Sequence, residues 1–470
     1  MLEQFREQRV VILGLARQGA ALARRLAQAG AQVIVSDSQT AASLAAPIAA
    51  LSAVESTFPI EFVLGGHPDS LLDGADLVCL SGGVPPNLPI VQAARQRGVR
   101  LSNDSQIFLE ACPPDVLVVG LTGSAGKTTT TTLVGRMLEA HAERPERVWV
   151  GGNIGRPLIA DLDALQPGDT VVMELSSFQL ELMTRSPRVA GVLNVTPNHL
   201  DRHGNMAAYT EAKSHILRFQ GPEDVAVLGL DDPGARALAP LARGTLAFFS
   251  AEQTVERGAF LDGDTLFFRW AGRSAPVATL ADIHLRGRHN VLNVLAACAL
   301  SGAARAAGGR PATPGALRAG LRDFRGVAHR LELVAERQGV RWYNDSIATA
   351  PERVLAALKS FDEPLVLLLG GRDKKLPWGE LAELVRDRVK HVVVFGEAAG
   401  LIETALTAAR VPAERLTRTQ DLAQAVQAAA AQAGPGDTVL LSPGGASYDE
   451  FVDFEARGER YRALVEALGK

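Results

Sequence analysis

A glycine-rich loop in the first half of the chain constrains its fold more than any other segment. Its residues are Gly123, Ser124, Ala125, Gly126, Lys127, Thr128 and Thr129. An apolar run at 116–121 predicts a buried strand before the loop, and 130–139 predicts a helix after it. Backbone N–H groups at such a turn bind phosphate, Lys127 adds positive charge, and a threonine hydroxyl can hold Mg²⁺. Leu121 stands where the standard loop has its first glycine, so we interpret the segment as a variant nucleotide-binding loop rather than an ordinary tight turn.

Length and composition predict a multidomain globular protein. The 470 residues exceed one hydrophobic core, and 47% hydrophobic with 21% charged residues is typical of globular chains. A net charge of −4 creates no basic field, so we expect neither nucleic acid nor a membrane as partner, and we expect a monomer. Three widely spaced cysteines argue against a disulfide framework, and the N-terminus lacks a signal-peptide pattern. We therefore expect a cytoplasmic protein.

Alternating strand and helix patterns predict an α/β fold with three domains. Residues 1–103 predict a Rossmann-like domain, in which the turn 14–19 followed by Asp37 imitates a dinucleotide fingerprint. Ala16 replaces the middle glycine of that fingerprint, so a nucleotide-type ligand and a plain turn stay equally open. Residues 104–326 predict a P-loop ATPase-type domain with a small antiparallel sheet and a hairpin at Asp262-Gly263. Residues 327–470 predict a C-terminal α/β domain resembling a dinucleotide fold.

Three side chains in the predicted central domain have the chemistry of a metal-assisted phosphoryl transfer. Glu174 ends a predicted strand, where carboxylates commonly hold Mg²⁺ against ATP phosphates. His199 follows the next strand and is an unusual but possible ligand. Lys213 lies on a helix predicted at 206–218, and only seven of the 48 basic residues are lysines. Lys213 is either a solvated surface lysine or a shielded, neutral amine that reacts with CO₂ to form a carbamate ligand.

Polar residues elsewhere suggest contacts to a nucleotide. Arg330 follows the second predicted boundary, and a guanidinium entering from a neighbouring domain suits phosphate when domains close. Asp345 is a strand-end acid that could orient a ribose. Asn290 and Asn293 share one predicted helix face and could read a base edge, although Asn290 could instead be a helix N-cap.

Together these motifs resemble the Mur ligases, which build the peptidoglycan stem peptide, over nearly the whole chain. The most discriminating segment is 174–181, Glu-Leu-Ser-Ser-Phe-Gln-Leu-Glu, which resembles members that add D-glutamate. The resemblance implies that ATP phosphorylates the carboxylate of UDP-N-acetylmuramoyl-L-alanine and that the amine of D-glutamate attacks the acyl phosphate. It also implies two Mg²⁺ ions and a CO₂-derived carbamate on Lys213. The catalytic residues would be Lys127, Glu174, His199 and Lys213.

The resemblance also implies which residues bind each substrate. ATP would contact Gly123, Ser124, Ala125, Gly126, Lys127, Thr128, Thr129, Asn290, Asn293, Arg330 and Asp345. The metal ions would be held by Thr128, Glu174, His199 and Lys213. The UDP-linked substrate would contact Leu15, Ala16, Asp37, Ser38, Gly83, Asn153, Ser176 and Gln179. D-Glutamate would contact Thr349, Lys374, Ser447 and Phe454.

One departure from the family affects the predicted chemistry. Ile347 stands where the family carries a lysine close to the reacting phosphate, so one positive charge is missing. Either a nearby arginine substitutes for it, or turnover is slower. Two other functions stay open: a related ligase of the folylpolyglutamate type that adds a different amino acid, and a catalytically weakened nucleotide-binding regulator.

Overall fold

Three β-sheets, one in each of three α/β domains, organise the protein, as the alternating sequence pattern predicts. The computed structural model describes residues 1–142, 146–285 and 287–468. The described residues form two compact units. The first comprises Met1–Ile283 and Arg288–Phe324 and contains the first two sheets. The second comprises residues 284, 285, 287 and 325–468 and contains the third sheet. The domain limits expected at 103/104 and 326/327 stay predictions.

The first sheet is parallel throughout, with the strand order β3-β2-β1-β4-β5. Its central strand is apolar on both faces: Val10 and Ile12 enter one hydrophobic core, and Val11 and Leu13 enter another on the opposite face. The strands are β1 (Arg9–Leu13), β2 (Gln32–Asp37), β3 (Glu61–Leu64), β4 (Leu77–Leu80) and β5 (Arg100–Ser102). The helices are α1 (Arg17–Gln28), α2 (Ala45–Ser52), α3 (Pro89–Gln96) and α4 (Asp104–Ala111).

The central sheet has nine strands in the order β14-β13-β12-β11-β10-β9-β6-β8-β7, parallel from β7 to β12 and antiparallel from β12 to β14. The strands are β6 (Leu117–Thr122), β7 (Val148–Gly152), β8 (Thr170–Glu174), β9 (Val189–Val192), β10 (Val225–Gly229), β11 (Thr245–Ser250), β12 (Gly258–Asp262), β13 (Thr265–Trp270) and β14 (Arg273–Thr279). The helices are α5 (Lys127–Glu139), α6 (Ser177–Leu180), α7 (Leu200–His203), α8 (Met206–Arg218), α9 (Pro233–Arg236), α10 (Arg288–Ala307) and α11 (Pro314–Leu321).

The third sheet has the order β15-β16-β20-β17-β18-β19 and is parallel except for the β15–β16 pair. Its strands are β15 (Glu332–Arg337), β16 (Val340–Asn344), β17 (Leu365–Gly370), β18 (Val389–Phe395), β19 (Leu416–Arg418) and β20 (Thr438–Gly444). Its helices are α12 (Pro351–Leu358), α13 (Gly379–Arg388), α14 (Ala399–Ala408), α15 (Leu422–Gln432) and α16 (Phe454–Ala467). Short 3₁₀ segments lie at Glu3–Phe5, Asp69–Leu72, Leu158–Ala164, Ala239–Leu241, Leu280–Asp282 and Ala413–Arg415.

The observed elements agree with the sequence patterns except at their ends. The helix expected at 206–218 has those bounds, and Asp262 pairs with Thr265 in the expected hairpin. The helix expected from 130 begins instead at Lys127, because Gly126 adopts a left-handed conformation that lets the next residue enter the helix directly. Asn290 lies inside α10 rather than capping it.

Helix α10 is long and apolar enough to cross a membrane by length and composition alone. However, 67% of its most apolar window is buried inside the protein. It packs on the central sheet, where Val294, Leu295 and Ala299 are fully buried. Its hydrophobicity is therefore explained by its position in the core of the central domain.

Candidate active site

The order of the central strands places the chemistry-bearing loops side by side. Strand β6 lies between β8 and β9, and all three are parallel, so their carboxyl ends meet at one edge of the sheet. The glycine-rich loop follows β6, Glu174 is the last residue of β8, and Asn194 closely follows β9. Residues that are about 50 to 70 positions apart in the chain therefore surround one site.

The glycine-rich loop turns tightly into α5 and packs against α10. Gly126 has φ +81°, and a Cβ atom built there would lie 2.2 Å from Oδ1 of Asn293. Both the backbone conformation and the close approach therefore require glycine at this position. Asn293 is buried, and its Nδ2 donates to Oδ1 of Asn290 at 2.8 Å, so the two asparagines share the face of α10 beside the loop.

Asn194, to which the sequence reasoning assigned no role in the site, holds the loop from its other side. Its Oδ1 accepts from the backbone N of Ala125 at 2.9 Å, and its Nδ2 donates to the carbonyl of Ala125 at 3.1 Å. The hydroxyl of Ser124 accepts from Tyr209 Oη at 3.0 Å and from the backbone N of Thr196 at 2.9 Å. Side chains outside the loop thus fix its shape, which leaves Gly126 and the first residues of α5 to present N–H groups. A polar residue directly after a buried strand was the available signal for Asn194.

Two lysines converge on one backbone oxygen. Nζ of Lys127 donates to the carbonyl of Gly123 at 2.8 Å, and Nζ of Lys213 donates to the same oxygen at 2.9 Å and to Thr122 Oγ1 at 3.3 Å. The side chain of Lys213 is on α8, and the residue is only 1% exposed. Burial, and then repulsion by Lys127, lowers the pKa of Lys213 well below its ordinary value, while Glu174 opposes the shift. The structure therefore favours the shielded amine over the solvated lysine that the sequence left open.

Glu174 offers a buried oxygen to a cation. The residue is 1% exposed, and its Oε1 accepts from Nδ2 of Asn153 at 2.9 Å. Its Oε2 is buried and has no hydrogen-bond partner among the residues that the structure describes. Burying a carboxylate oxygen without a partner is costly, so this atom fits a metal ligand.

The surroundings of Glu174 suit Mg²⁺ better than a metal held entirely by protein. Within residues 1–142, 146–285 and 287–468, no three His, Cys, Asp or Glu side chains converge as a ligand group. Thr128, at the second position of α5, supplies a hydroxyl near the same strand edge. Mg²⁺ typically takes one or two protein ligands and completes its octahedron with phosphate oxygens and water.

His199 lies at an exposed turn with an aromatic support. It precedes α7 in a left-handed conformation, with φ +53°. Its ring meets the edge of Phe178 at 5.2 Å between centroids, and Phe178 also stacks on His203 at 5.1 Å. The guanidinium of Arg202 lies 3.8 Å from the Phe178 ring centroid. Phe178, from the segment 174–181, therefore connects that segment to the turn carrying His199.

The residues expected to contact the UDP end lie at the carboxyl edge of the first sheet. Asp37 accepts from the backbone N of Leu15 at 2.7 Å through Oδ2 and from that of Gln39 at 2.9 Å through Oδ1. Its carboxylate thus fixes the turn that contains Leu15 and Ala16, while Ser38 beside it is exposed. Gly83 is exposed in the turn after β4, and Arg202 donates to the carbonyl of the next residue, Val84.

Gln179 joins the first domain to the active-site segment. Its Oε1 accepts from the backbone N and Oγ of Ser176 at 3.0 and 2.9 Å, and its Nε2 donates to Ser105 Oγ at 2.8 Å. Its own carbonyl accepts from Nδ2 of Asn103 at 2.8 Å. Gln179 is buried, so its amide serves mainly to hold α4 against α6. Asn153 and Ser176 are the more accessible of the three residues expected beside the muramoyl-alanine part.

In the second unit, the residues expected to bind D-glutamate lie on the loops after β16, β17 and β20 and at the start of α16. Lys374 Nζ donates to Thr349 Oγ1 at 2.9 Å. Ser447 is buried on the loop after β20, and Phe454 is the first residue of α16. The carbonyl of Phe454 accepts from Ser346 Oγ at 2.8 Å.

Arg457, which the sequence reasoning missed, connects the loop after β16 to the loop after β20. It is buried, and it donates to Ser346 Oγ at 3.0 Å, to the Ser346 carbonyl at 2.9 Å and to the Gly445 carbonyl at 3.1 Å. One guanidinium therefore sets the spacing between the loop carrying Thr349 and the loop carrying Ser447. No local motif marks this role, because it depends on loops that are 99 positions apart in the chain.

Asp345 is a buried acid directly after β16. Its Oδ2 accepts from Ser442 Oγ at 2.8 Å, and its Oδ1 accepts from the backbone N of Leu331 at 3.3 Å. Burial raises the pKa of Asp345 to about 7, against the hydrogen bonds and the positive charges of Arg330 and Arg353. Arg330 is exposed just before β15.

Three family patterns match the chain in succession. Residues 8–103 match the Mur ligase MurD-like N-terminal domain, residues 121–301 the Mur ligase middle domain, and residues 329–445 the glutamate ligase domain of Mur ligases. Two solved structures share the fold. MurC from Thermotoga maritima has a TM-score of 0.55 and 20% identity, covering 98% of this chain and 99% of that one. MurF from Acinetobacter baumannii has a TM-score of 0.55 and 19% identity, covering 98% and 94%.

Full-length relatives are much more similar in sequence. The UDP-N-acetylmuramoylalanine–D-glutamate ligase of Symbiobacterium thermophilum is 42% identical over 468 residues, covering 98% of each chain. The enzyme with the same name from Anaeromyxobacter dehalogenans is 42% identical over 472 residues, covering 97% of each. With this similarity along its whole length and the three domain patterns in order, the chain belongs to the Mur ligase family.

Proposed function

We propose that the protein is an ATP-dependent ligase that joins D-glutamate to UDP-N-acetylmuramoyl-L-alanine during cytoplasmic peptidoglycan precursor synthesis. Relatives named for this reaction match the chain along nearly its full length. The structural observation that carries the proposal is the meeting of Lys127, Lys213 and the buried Glu174 at the glycine-rich loop. This arrangement places the phosphate-binding cation Lys127 beside two groups that could hold Mg²⁺ where phosphate is transferred.

The chemistry follows from the poor reactivity of a carboxylate. An oxygen of the muramoyl-alanine carboxylate attacks the γ-phosphorus of ATP, the bond to the β,γ-bridging oxygen breaks, and ADP leaves. The amine of D-glutamate then attacks the acyl carbon, loses a proton, and inorganic phosphate departs as the amide forms. Lys127 and the N–H groups at the start of α5 bind and orient the phosphates. Mg²⁺ bound by Thr128 and Glu174 supplies further charge neutralisation.

Lys213 is the proposed site of a second metal ligand. Burial lowers the pKa of its amine well below the ordinary value, which favours the neutral form that reacts with CO₂. The reaction converts the amine and CO₂ into a carbamate and a proton, which replaces a cation with an anionic oxygen ligand. His199 and this carbamate are proposed to hold a second Mg²⁺.

The remaining site residues are assigned by the resemblance. Asn290, Asn293, Arg330 and Asp345 are proposed to bind ATP with the loop residues. The residues proposed to contact the UDP-linked substrate are Leu15, Ala16, Asp37, Ser38, Gly83, Asn153, Ser176 and Gln179; Gln179 also holds Ser176. Thr349, Lys374, Ser447 and Phe454 are proposed to bind D-glutamate.

Phosphate release by the purified protein tests the proposal. Release should require ATP, Mg²⁺, UDP-N-acetylmuramoyl-L-alanine and D-glutamate together, and the product should have the mass of the amide. Lys127→Ala should abolish release, whereas Lys359→Ala, which removes an exposed lysine after α12, should not. Release supported by another amino acid would indicate a different ligase. Nucleotide binding without substrate-dependent release of phosphate would indicate a catalytically weakened nucleotide-binding regulator instead of a ligase.

A further inference from the structure

Arg353 brings a positive charge to the loop that carries the aliphatic Ile347. Arg353 is the third residue of α12, and its Nη1 donates to the carbonyl of Ile347 at 3.3 Å. The residue is exposed, and no carboxylate in the described part of the chain lies within ion-pair distance of it. The hydrogen bond to a backbone carbonyl therefore holds the guanidinium of Arg353 beside the loop. The other N–H groups of the guanidinium can donate to a ligand.

A second cation reaches the same loop from the loop that follows β17. Lys374 Nζ donates to Oγ1 of Thr349, two residues after Ile347. Burial first, and then the positive charges of Arg353 and Arg457, lowers the pKa of Lys374. Lys374 and Arg353 are thus close enough to repel each other, and an anion between them would relieve that repulsion.

Two further charged groups near this loop, Arg457 and Asp345, are already used by the protein. Arg457 is buried, and its donors are taken by Ser346 and Gly445. Asp345 is buried, and its oxygens accept from Ser442 and Leu331. Arg353 and Lys374, by contrast, are both exposed and can meet a small anion.

We propose that Arg353 is a substrate-binding residue that pairs with one carboxylate of the incoming amino acid while Lys374 pairs with the other. The assignment rests on the proposed ligase function and adds a residue to its amino-acid site. Two cations that bond to one short loop at two different residues suit a dicarboxylic amino acid, because each carboxylate can then meet its own donor. A monocarboxylic amino acid would leave one of the two cations without a counter-charge.

Steady-state kinetics of three variants test the assignment. Arg353→Gln should raise KM for D-glutamate about tenfold or more, as expected for losing a hydrogen bond between charged groups, with KM for ATP unchanged. Arg353→Lys should recover part of the affinity, because it restores charge without the planar fork. Lys359→Gln, which removes one exposed charge just after the same helix, should behave as the parent protein.

A charge returned to the loop at another position tests whether the contact is specific to Arg353. Ile347→Lys in the Arg353→Gln background should leave KM for D-glutamate raised, because the resemblance implies that a lysine at this position lies close to the reacting phosphate. An unchanged KM for D-glutamate in Arg353→Gln would overturn the assignment, as would an equal rise in KM for ATP.

The same assays distinguish this assignment from the proposed function. If the parent protein consumes a different dicarboxylic amino acid, the proposed substrate is wrong and the Arg353 variants are tested with that amino acid. Parent protein that uses a monocarboxylic amino acid, or that releases no amino-acid-dependent phosphate, would overturn both.

Discussion

Lys127 and Lys213 donate to the same oxygen, the carbonyl of Gly123, from 2.8 and 2.9 Å. Two ammonium groups so close together are electrostatically unfavourable unless one loses its proton or an anion lies between them. Lys127 is the first residue of α5 and so lies at a helix N-terminus, where phosphate binds. Lys213, in contrast, is buried. The pair therefore divides into a phosphate-binding cation and a shielded amine.

Replacing Lys213 by arginine tests that division. Arginine keeps the positive charge but cannot become neutral or form a carbamate, so we expect Lys213→Arg to lower kcat at least about a hundredfold. The measurement is phosphate release at saturating substrates. Lys359→Arg is the matched control, and a parental kcat in Lys213→Arg would show that only the charge of Lys213 matters.

Removing the charge of Glu174 should separate stability from activity. Glu174→Gln replaces a buried carboxylate by a neutral amide, so the metal-free protein should have a Tm at least as high as the parent. The Mg²⁺ concentration for half-maximal rate should rise about tenfold or more, because a neutral oxygen binds Mg²⁺ more weakly. Magnesium titration and thermal unfolding measure the two effects. Glu223→Gln, at an exposed turn, should change neither, and an unaltered Mg²⁺ requirement in Glu174→Gln would remove Glu174 from the metal site.

Asp345 predicts a dependence of stability on pH. Its pKa rises from 3.8 in the unfolded chain to about 7 in the folded protein, so between these values the folded state binds the extra proton. The free energy of unfolding should therefore fall as pH rises through this window, by about 4 kcal/mol at most. Asp345→Asn has no such proton, so its stability relative to the parent should be higher at pH 8 than at pH 5. Urea unfolding at the two pH values measures the difference, and an equal difference at both would show that Asp345 is not shifted.

Gly126 should tolerate no side chain. Gly126→Ala would force a Cβ to within 2.2 Å of Asn293 Oδ1 and hold alanine at φ +81°. We expect ATP affinity to fall at least about tenfold, measured with a fluorescent ATP analogue. Asn293→Ala removes a proposed ATP contact together with the clash, so it is the reference for the double variant. Gly126→Ala should cost less affinity in the Asn293→Ala background than in the parent, because only the backbone strain remains. No further loss in the double variant would show that the left-handed conformation contributes nothing.

The sequence alone determined the local features of this protein. The loop at 123–129 between a strand and a helix, the helix at 206–218 and the hairpin at Asp262 depend on periodicity and turn chemistry within short windows. The type of each of these elements was predictable. Helix α5 nevertheless begins at Lys127 rather than at residue 130, because the left-handed Gly126 shortens the turn before it. Candidate residues at strand ends, such as Glu174, were likewise predictable from position.

The tertiary structure decided how these residues meet. The strand order β9-β6-β8 brings Asn194, the glycine-rich loop and Glu174 to one edge, and strand order is set by long-range packing that no short window contains. The same reason applies to the carbonyl shared by Lys127 and Lys213, to the Arg457 bonds between two loops, and to Arg353 beside Ile347. The sequence determines the type and charge of each side chain. Burial and distance set the pKa values and the partners of those side chains, and both exist only in the folded chain.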